Sequence, residues 1–225
     1  MGREHRPRAG SLQFWPRKRA RRIYPRIRAW AKTDSAKVLG FAGYKVGMTH
    51  IMATNNNPNV LAKGLQAVYP ATIIECPPLK PLSLRFYKQT PYGIKLVSEM
   101  FSQKLDKELG RKITIPKKSK EGKVPEDITD VKLVVYTQPK IIGLKKRPDV
   151  FELGIGGNIK DKIEYGRKLL ESEIKIRDVI KEGQFIDVHS VTKGKGFQGP
   201  IQRFGLSLKA RKSEKKKRSA GNLGP

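Results

Sequence analysis

Three glycines near the carboxyl end of the chain have a spacing that is typical of nucleotide-binding loops. Gly194, Gly196 and Gly199 follow an apolar run as G-x-G-x-x-G, a pattern that can hold a dinucleotide pyrophosphate at a helix N-terminus. Such a site also needs a following helix and an acidic residue about twenty positions further on. Only five residues, 200–204, lie between Gly199 and Gly205, which is too few for that helix. The candidate acid, Glu214, lies in a lysine-rich run. The motif therefore predicts close approach of the backbone to phosphate, and not a bound dinucleotide.

The other polar side chains form no catalytic or metal-binding pattern. The three histidines are far apart in the sequence, and Cys76 is the single cysteine, so no metal site or disulfide framework is indicated. Asp187 and His189 are two positions apart on a predicted strand and would share a face, but no nucleophile is marked near them. We expect a protein that is not an enzyme and has no cofactor, no metal and no small-molecule substrate.

Positive charge dominates the composition. The chain has 48 Lys and Arg against 20 Asp and Glu, which gives a net charge of +28. Residues 1–32 carry +10 and residues 189–225 carry +9, which leaves +9 for the 156 residues between them. Because such a chain repels itself unless a polyanion neutralises it, nucleic acid is the expected partner. A membrane surface is the alternative, but prolines between Pro70 and Pro81 interrupt the best apolar span, so we expect no membrane.

The two basic ends of the chain read as extended arms. Prolines at positions 7, 16 and 25 prevent a continuous helix in the first arm, and its apolar residues are too sparse to bury a face. Arginine can bind phosphate oxygens with two N–H groups. The aromatic residues of this arm either stack on bases or anchor it to the protein's own body, and both alternatives stay open. They are Phe14, Trp15, Tyr24 and Trp30.

The region between the arms predicts mainly strands. KVLGFAGYKVGMTHIMAT, LQAVYPATIIECPPL, LSLRFY, GIKLVSEMF, VKLVVYTQP and VFELGI read as strands, and glycines at 40, 43 and 47 mark a bulge or a barrel corner. Near the end of the region, QFIDVHSVT alternates Ile186 and Val188 with polar residues as a half-buried strand does.

Two segments predict helices. Apolar residues recur every four positions from Phe101 to Leu109, with Gly110 as the expected C-cap. GGNIKDKIEYGRKLLESE predicts a turn into a longer helix, and we favour this reading of GIGGN, 154–158, over an anion site at the helix start. The inward-facing residues of this helix are predicted to be Ile159, Ile163 and Leu170. The order of elements predicts a small barrel that is interrupted by an α/β insertion.

Five separated motifs resemble one protein family. HRPRAGSLQFWPRKRA, GFAGYKVGMTH, ATIIECPP, FELGIGGN and VTKGKGFQGPIQRFG with the final GNLGP look like ribosomal protein L3 of the large subunit, in its archaeal and eukaryotic type. The resemblance implies a mainly β fold with α+β parts, namely a small translation-factor-like β-barrel with an inserted α/β subdomain and long basic extensions. The implied domains are an N-terminal arm at 1–36, a barrel at 37–80 and 183–192, the subdomain at 81–182, and an rRNA-penetrating loop at 193–225.

The resemblance also implies a function. It indicates a cytoplasmic structural constituent of the large ribosomal subunit that binds large-subunit rRNA, contacts neighbouring large-subunit proteins, supports assembly and approaches the peptidyl-transferase region. A soluble RNA chaperone or translation factor that binds rRNA transiently is the alternative. Family members continue past GNLGP, so we expect a barrel that is short of strands. Either the chain is a fragment or its gene is cut short, or a second polypeptide supplies the rest.

The predicted rRNA-binding residues form three groups. In the N-terminal arm they are Arg3, Arg6, Arg8, Phe14, Trp15, Arg17, Lys18, Arg19, Arg21, Arg22, Arg26 and Arg28. In the GYKVGMTH stretch they are Lys45, Thr49 and His50. In the C-terminal segment they are Lys193, Lys195, Phe197, Gln198, Arg203, Lys209, Arg211, Lys212, Lys215, Lys216, Lys217 and Arg218.

Overall fold

The computed structural model describes residues 11–115, 122, 124–212 and 216–221. The chain divides into two compact units. The first, which we call the body, is Arg26–Ile186. The second, which we call the arm unit, combines Met1–Pro25 with Asp187–Pro225. The two basic ends of the sequence therefore belong to one unit.

All strands among the described residues lie in the body and pair antiparallel. They are β1 (Tyr44–Thr54), β2 (Gln66–Glu75), β3 (Lys80–Thr90), β4 (Gly93–Phe101), β5 (Asp130–Tyr136) and β6 (Val150–Gly154). β1 and β2 form a two-stranded ribbon, and the other strands form a sheet in the order β4-β3-β5-β6. The mainly β class is confirmed, and in the described part of the chain the sheets are open and do not close into a barrel.

Helices are few and short. They are α1 (Ile159–Leu169), α2 (Ile176–Val179) and α3 (Pro200–Phe204). α1 confirms the helix predicted from GGNIKDKIEYGRKLLESE. The helix predicted from Phe101 to Leu109 is wrong, because Phe101 ends β4 opposite Ser83. Within this segment, Lys107–Arg111 forms a single turn of 3-10 helix in which Leu109 is buried. Gly110 lies inside this turn instead of capping a helix.

The apolar core lies between the four-stranded sheet and α1. Leu84 and Phe86, on alternate positions of β3, are fully buried there. Ile163 packs against this cluster, as does Leu170 just after α1, which confirms two of the three predicted inward residues. Ile159, in the first turn, is 39% exposed, so its prediction is wrong. Burying one large apolar side chain stabilises a fold by about 1.5–3 kcal/mol, so this face supplies much of the body's stability.

A glycine in the middle of α1 reflects close packing on the sheet. A Cβ at Gly166 would lie 2.7 Å from Cδ2 of Leu84, well inside van der Waals contact. Glycine costs a helix interior about 1 kcal/mol relative to alanine. The close approach of the two elements accounts for its presence.

Trp30 fastens the segment that leads into the sheet. Its indole ring lies on the backbone of Gly154, the last residue of β6, where an added Cβ would be 2.6 Å from the ring carbon Cγ. A bridge between Val38 and Ile155 holds the same segment a little further on. For Trp30, the alternative of anchoring the chain to its own body is therefore the correct one.

The opposite face of the sheet carries a network of ion pairs centred on Arg85. Its Nε lies 3.0 Å from Glu99 and its Nη1 lies 2.5 Å from Glu152. Tyr87 also donates a hydrogen bond to Glu152, at 2.7 Å. Burial disfavours the Glu152 carboxylate, but bonds from Tyr87 and Arg85 outweigh this effect and lower its pKa. Burial and the bond to Glu152 raise the pKa of Tyr87 to about 12. These groups pair with one another, so the network supports the fold.

The β1–β2 ribbon leaves most of its surface open. Met48, Met52 and Val68 are exposed by 66%, 67% and 59%. Its pairing shifts register between Lys45 and Gly47, which confirms a bulge at one of the glycines marked in the sequence. A two-stranded ribbon that is exposed in this way gains little from burial.

The strand predicted in QFIDVHSVT is wrong. Ile186 and Val188 are 51% and 70% exposed, and no residue from 184 to 192 belongs to a strand. Alternation alone does not make a strand, since the backbone also needs a neighbouring strand to accept and donate its hydrogen bonds. Asp187 and His189 therefore do not share a strand face.

Candidate nucleic-acid interface

The N-terminal part of the arm unit is extended. A single 3-10 turn, Leu12–Phe14, is followed by residues 15–25, which form no helix and no strand. The prolines at 16 and 25 account for this, because proline lacks the backbone N–H that regular structure requires. The side chains of Lys18, Arg19, Arg21 and Arg22 are exposed along this segment.

The G-x-G-x-x-G glycines lead into α3, a helix of five residues. Pro200 begins it and Gly205, at φ +67°, ends it. Gly196 has φ +68°, and no atom lies within 4 Å of the position of an added Cβ, so the backbone conformation is what favours glycine there. No strand leads directly into the motif among the described residues, and α3 is shorter than the helix that a dinucleotide-binding loop requires.

The second glycine run, GIGGN, is occupied by the chain itself. Gly156 N donates to the carbonyl of Lys37 and Gly157 N to that of Thr33, each at 2.8 Å. These amides are therefore not directed at an anion. The run is the tight turn between β6 and α1 that its sequence predicts.

Two arginines join the N-terminal and C-terminal segments of the arm unit. Nη1 of Arg17 donates to the carbonyl of Arg203 at 2.6 Å, and Nη2 of Arg203 donates to the carbonyl of Arg17. These residues are 186 positions apart in the chain. The reciprocal bonds bring two segments of the same charge together, and we call them the arginine clasp.

Aromatic rings line the arginine clasp. The guanidinium carbon of Arg17 lies 5.7 Å from the ring centroid of Trp15 and 5.9 Å from that of Phe204. Arg203 lies 5.2 Å from the same Phe204 ring. Cation–π contacts of this kind contribute about 0.5–1 kcal/mol at exposed sites. Phe204, which is not among the predicted site residues, thus faces both guanidinium groups.

Two hydrogen bonds of Lys209 hold parts of the lysine-rich segment together. Lys209 N donates to the carbonyl of Lys217 at 3.2 Å, and Lys209 Nζ donates to Ser219 Oγ at 3.1 Å. These two bonds bring Lys209 next to Lys217 and Ser219. Arg211 and Lys212 are also exposed.

The described basic residues of the arm unit form no ion pair with a described acidic residue. Every ion pair between described residues lies in the body, as with Lys80 and Asp106 or Lys162 and Asp130. Positive charge in the body is therefore partly neutralised within the protein. In the described part of the arm unit it stays open to an external anion.

The predicted site residues are only partly brought together. Lys45, Thr49 and His50 are exposed on β1, but Thr49 and His50 are consecutive and point to opposite faces of the ribbon. Arg26 and Arg28 lie exposed in the body. Phe197, Lys193 and Lys195 are exposed and Gln198 is half-buried in the arm unit. Outside the described residues lie Arg3, Arg6, Arg8, Lys215 and the side chain of Phe14.

Metal-binding clusters and membrane-spanning helices are both absent from the described residues. Within the described ranges, no group of three or more His, Cys, Asp or Glu side chains is placed to hold a metal ion. In the same residues, no helix has the length and apolar character needed to span a bilayer.

An antiparallel β body and a unit whose described cations form no ion pair with a described carboxylate define a class, the strongly basic proteins, whose charge favours polyanions as partners. The particular family follows from sequence comparison. The profile of the family described as ribosomal protein L3 matches residues 1–126 and 120–225. The chain belongs to the ribosomal protein L3 family.

Similar proteins of archaea support this assignment. The large ribosomal subunit protein uL3 of Archaeoglobus fulgidus is 46% identical over 230 residues, which cover 98% of this chain and 70% of that protein. The uL3 proteins of Methanobrevibacter smithii and Methanothrix harundinacea are 42% and 44% identical, over 100% and 98% of this chain and 70% of each relative. The resemblance to the archaeal type is thus confirmed.

Proposed function

We propose that this chain is a structural constituent of the large ribosomal subunit that binds rRNA through its two basic ends. The proposal rests on one observation about charge. The described cations of the arm unit pair with no described carboxylate, whereas cations of the body form ion pairs within the body. RNA phosphates are the anions that complete such a surface. The relatives named as large-subunit proteins support the choice of rRNA over other polyanions.

The proposed mechanism is neutralisation of phosphate combined with recognition of RNA shape. Arginines at 3–28 and the cations of 193–218 contact phosphate oxygens, while Trp15 and Phe197 present flat faces to unpaired bases. Lys45, Thr49 and His50 add contacts from the exposed ribbon. By holding rRNA segments together, the protein supports subunit assembly, and its 193–225 segment extends towards the peptidyl-transferase region.

The domain organisation is part of the proposal. Residues 37–80 and 183–192 are assigned to a translation-factor-like barrel, in which residues 184–192 take part without forming a strand in this structure, and residues 81–182 form the inserted α/β subdomain. The open ribbon supports this division, because apolar side chains such as Met48 and Met52 would be buried in a closed barrel. Neighbouring large-subunit proteins are further partners. The site of action is the cytoplasm, and the role is non-catalytic.

The salt dependence of rRNA binding tests the proposal. The chain is titrated onto protein-free large-subunit rRNA at several salt concentrations. For about six to ten phosphate contacts, affinity should fall by about 10³–10⁵-fold between about 50 and 200 mM salt, because each contact releases condensed counterions. A flat response would show that the arms are not the main contact.

A second arm of the experiment separates a constituent of the subunit from a transient RNA chaperone or translation factor. Large subunits that contain the tagged chain are washed at high salt and sedimented. A structural constituent stays with the subunit, because many contacts would have to open together. Release of the chain into the supernatant would support the transient factor.

A further inference from the structure

We infer that Arg17 and Arg203 form a composite clamp for RNA phosphate, which exists only when the two basic segments are docked on each other. The inference rests on the proposed function and deepens it, because it makes the two arms one binding element. The reciprocal hydrogen bonds between these residues carry it. Neither residue forms the clamp by itself.

The geometry of the arginine clasp holds both cations in place. Each guanidinium donates to the main-chain carbonyl of the other residue, so each arginine fixes the segment that carries its partner. Phe204 adds a common wall, since both guanidinium carbons lie within 6 Å of its ring centroid, at 5.9 and 5.2 Å. This arrangement limits the loss of side-chain freedom on binding, because the cations are already oriented.

The charge of the arginine clasp calls for an anion. Two guanidinium groups lie against one ring, and neither pairs with a carboxylate among the described residues. The bond to the carbonyl uses one of the five N–H donors of each group. The remaining donors match the oxygens of a phosphodiester, which a guanidinium can bind through two hydrogen bonds. An RNA backbone that passes the clasp would relieve the repulsion between the two cations.

A coupling between the arms follows from this arrangement. If the Arg17 side chain is removed, the main-chain carbonyl of Arg17 remains, but the bond from Arg17 Nη1 that holds the Arg203 segment in place is lost, and the reverse is also true. The segment that carries the remaining guanidinium is then no longer fixed against the carbonyl that orients it. Each single substitution should therefore weaken the contact made by both residues. Independent phosphate contacts would instead contribute separately, as is usual for sites that share no partner.

A double-mutant cycle on the full chain tests the coupling. Arg17→Ala, Arg203→Ala and the double variant are titrated onto protein-free large-subunit rRNA at one salt concentration. We expect about tenfold weaker binding for either single variant and about the same for the double variant, in place of about a hundredfold. Each single variant should also lower the salt slope by about 1.4, which is the contribution of two contacts and not of one.

A matched pair provides the control. Arg21→Ala combined with Arg203→Ala should show effects that multiply, since the hydrogen bonds and ring contact of Arg203 in this structure involve Arg17 and Phe204 and not Arg21. If the effects of Arg17→Ala and Arg203→Ala also multiply, the clamp is overturned, although the arms would still bind rRNA as proposed. If neither single variant weakens binding, the clamp is again overturned, and the salt response of the unchanged chain decides the proposed function by itself.

Discussion

The four-stranded sheet and the arm unit are ordered by different means. In the sheet, Leu84 and Phe86 are completely buried and α1 covers them. In the arm unit, Phe197 is 102% exposed and Leu208 is 59% exposed, and the contacts between its segments are made by arginines and carbonyl groups. The sheet therefore depends on burial of apolar surface, whereas the arm unit depends on polar contacts that leave positive charge open.

This difference assigns stability and binding to separate parts of the chain. Apolar burial contributes to folding whether or not a partner is present. A surface of like charges instead contributes favourable free energy only when a polyanion binds to it. Substitutions in the sheet should thus change unfolding, while substitutions in the arm unit should change RNA affinity.

The largest effect on stability is expected from Phe86→Ala. Phe86 is fully buried on the core face of β3, and truncation of a buried phenylalanine costs about 3–5 kcal/mol through lost burial and a cavity. Urea unfolding monitored by circular dichroism measures the change. Phe197→Ala, which truncates an exposed ring of the arm unit, should alter stability by no more than about 0.5 kcal/mol. Equal losses for the two variants would remove the distinction between the regions.

A smaller loss is expected from Gly154→Ala. The new Cβ would lie 2.6 Å from Cγ of Trp30, so the indole ring must move off β6. Overpacking of this kind costs about 1–3 kcal/mol. Fluorescence of Trp30 in a Trp15→Phe background would report the displaced ring. Gly194→Ala in the arm unit, where nothing lies within 4 Å of the added carbon, should leave stability and fluorescence unchanged.

The ion-pair network predicts a still smaller, pH-dependent effect. The pKa of Tyr87 is raised from 10.0 to about 12, so its share of the stability is fully present below pH 10 and is lost as the pH rises towards 12. Tyr87→Phe should reduce the alkaline loss of stability by about 1 kcal/mol, after allowance for its partial exposure. Unfolding measurements from about pH 9 to about pH 12 follow this loss of stability. Tyr92→Phe, at a side chain that is 102% exposed and lies outside this network, is the matched control.

Much of the sheet could be predicted from the sequence because its signal is local. LSLRFY, VKLVVY and VFELGI are apolar runs bounded by turn residues, and they became β3, β5 and β6. The segment from Phe101 to Leu109 misled the prediction, because a four-residue period also arises where a strand ends and a turn begins. QFIDVHSVT failed for a different reason, namely that alternation does not supply a pairing partner.

The candidate site could be predicted in composition but not in arrangement. Runs of arginine and lysine mark both arms in the sequence. The reciprocal bonds of Arg17 and Arg203 join residues that are 186 positions apart, and no local pattern encodes such a contact. The sequence marks Phe204 as a ring that can stack or anchor, but only the docked segments place it against both cations.

The separation of stability from binding is tested most directly on one variant, in which Arg17, Arg19, Arg21 and Arg22 are changed to Ala. Its thermal midpoint and its affinity for large-subunit rRNA are measured beside a control that removes the same charge from the body, at the exposed Lys95, Lys160, Lys168 and Lys181. We expect the free energy of unfolding of the arm variant to lie within about 0.5 kcal/mol of that of the unchanged chain. Its affinity for rRNA should fall about 10²-fold or more, and the affinity of the control should fall less. Equal loss of affinity in the two variants, or unfolding of the arm variant, would contradict the account.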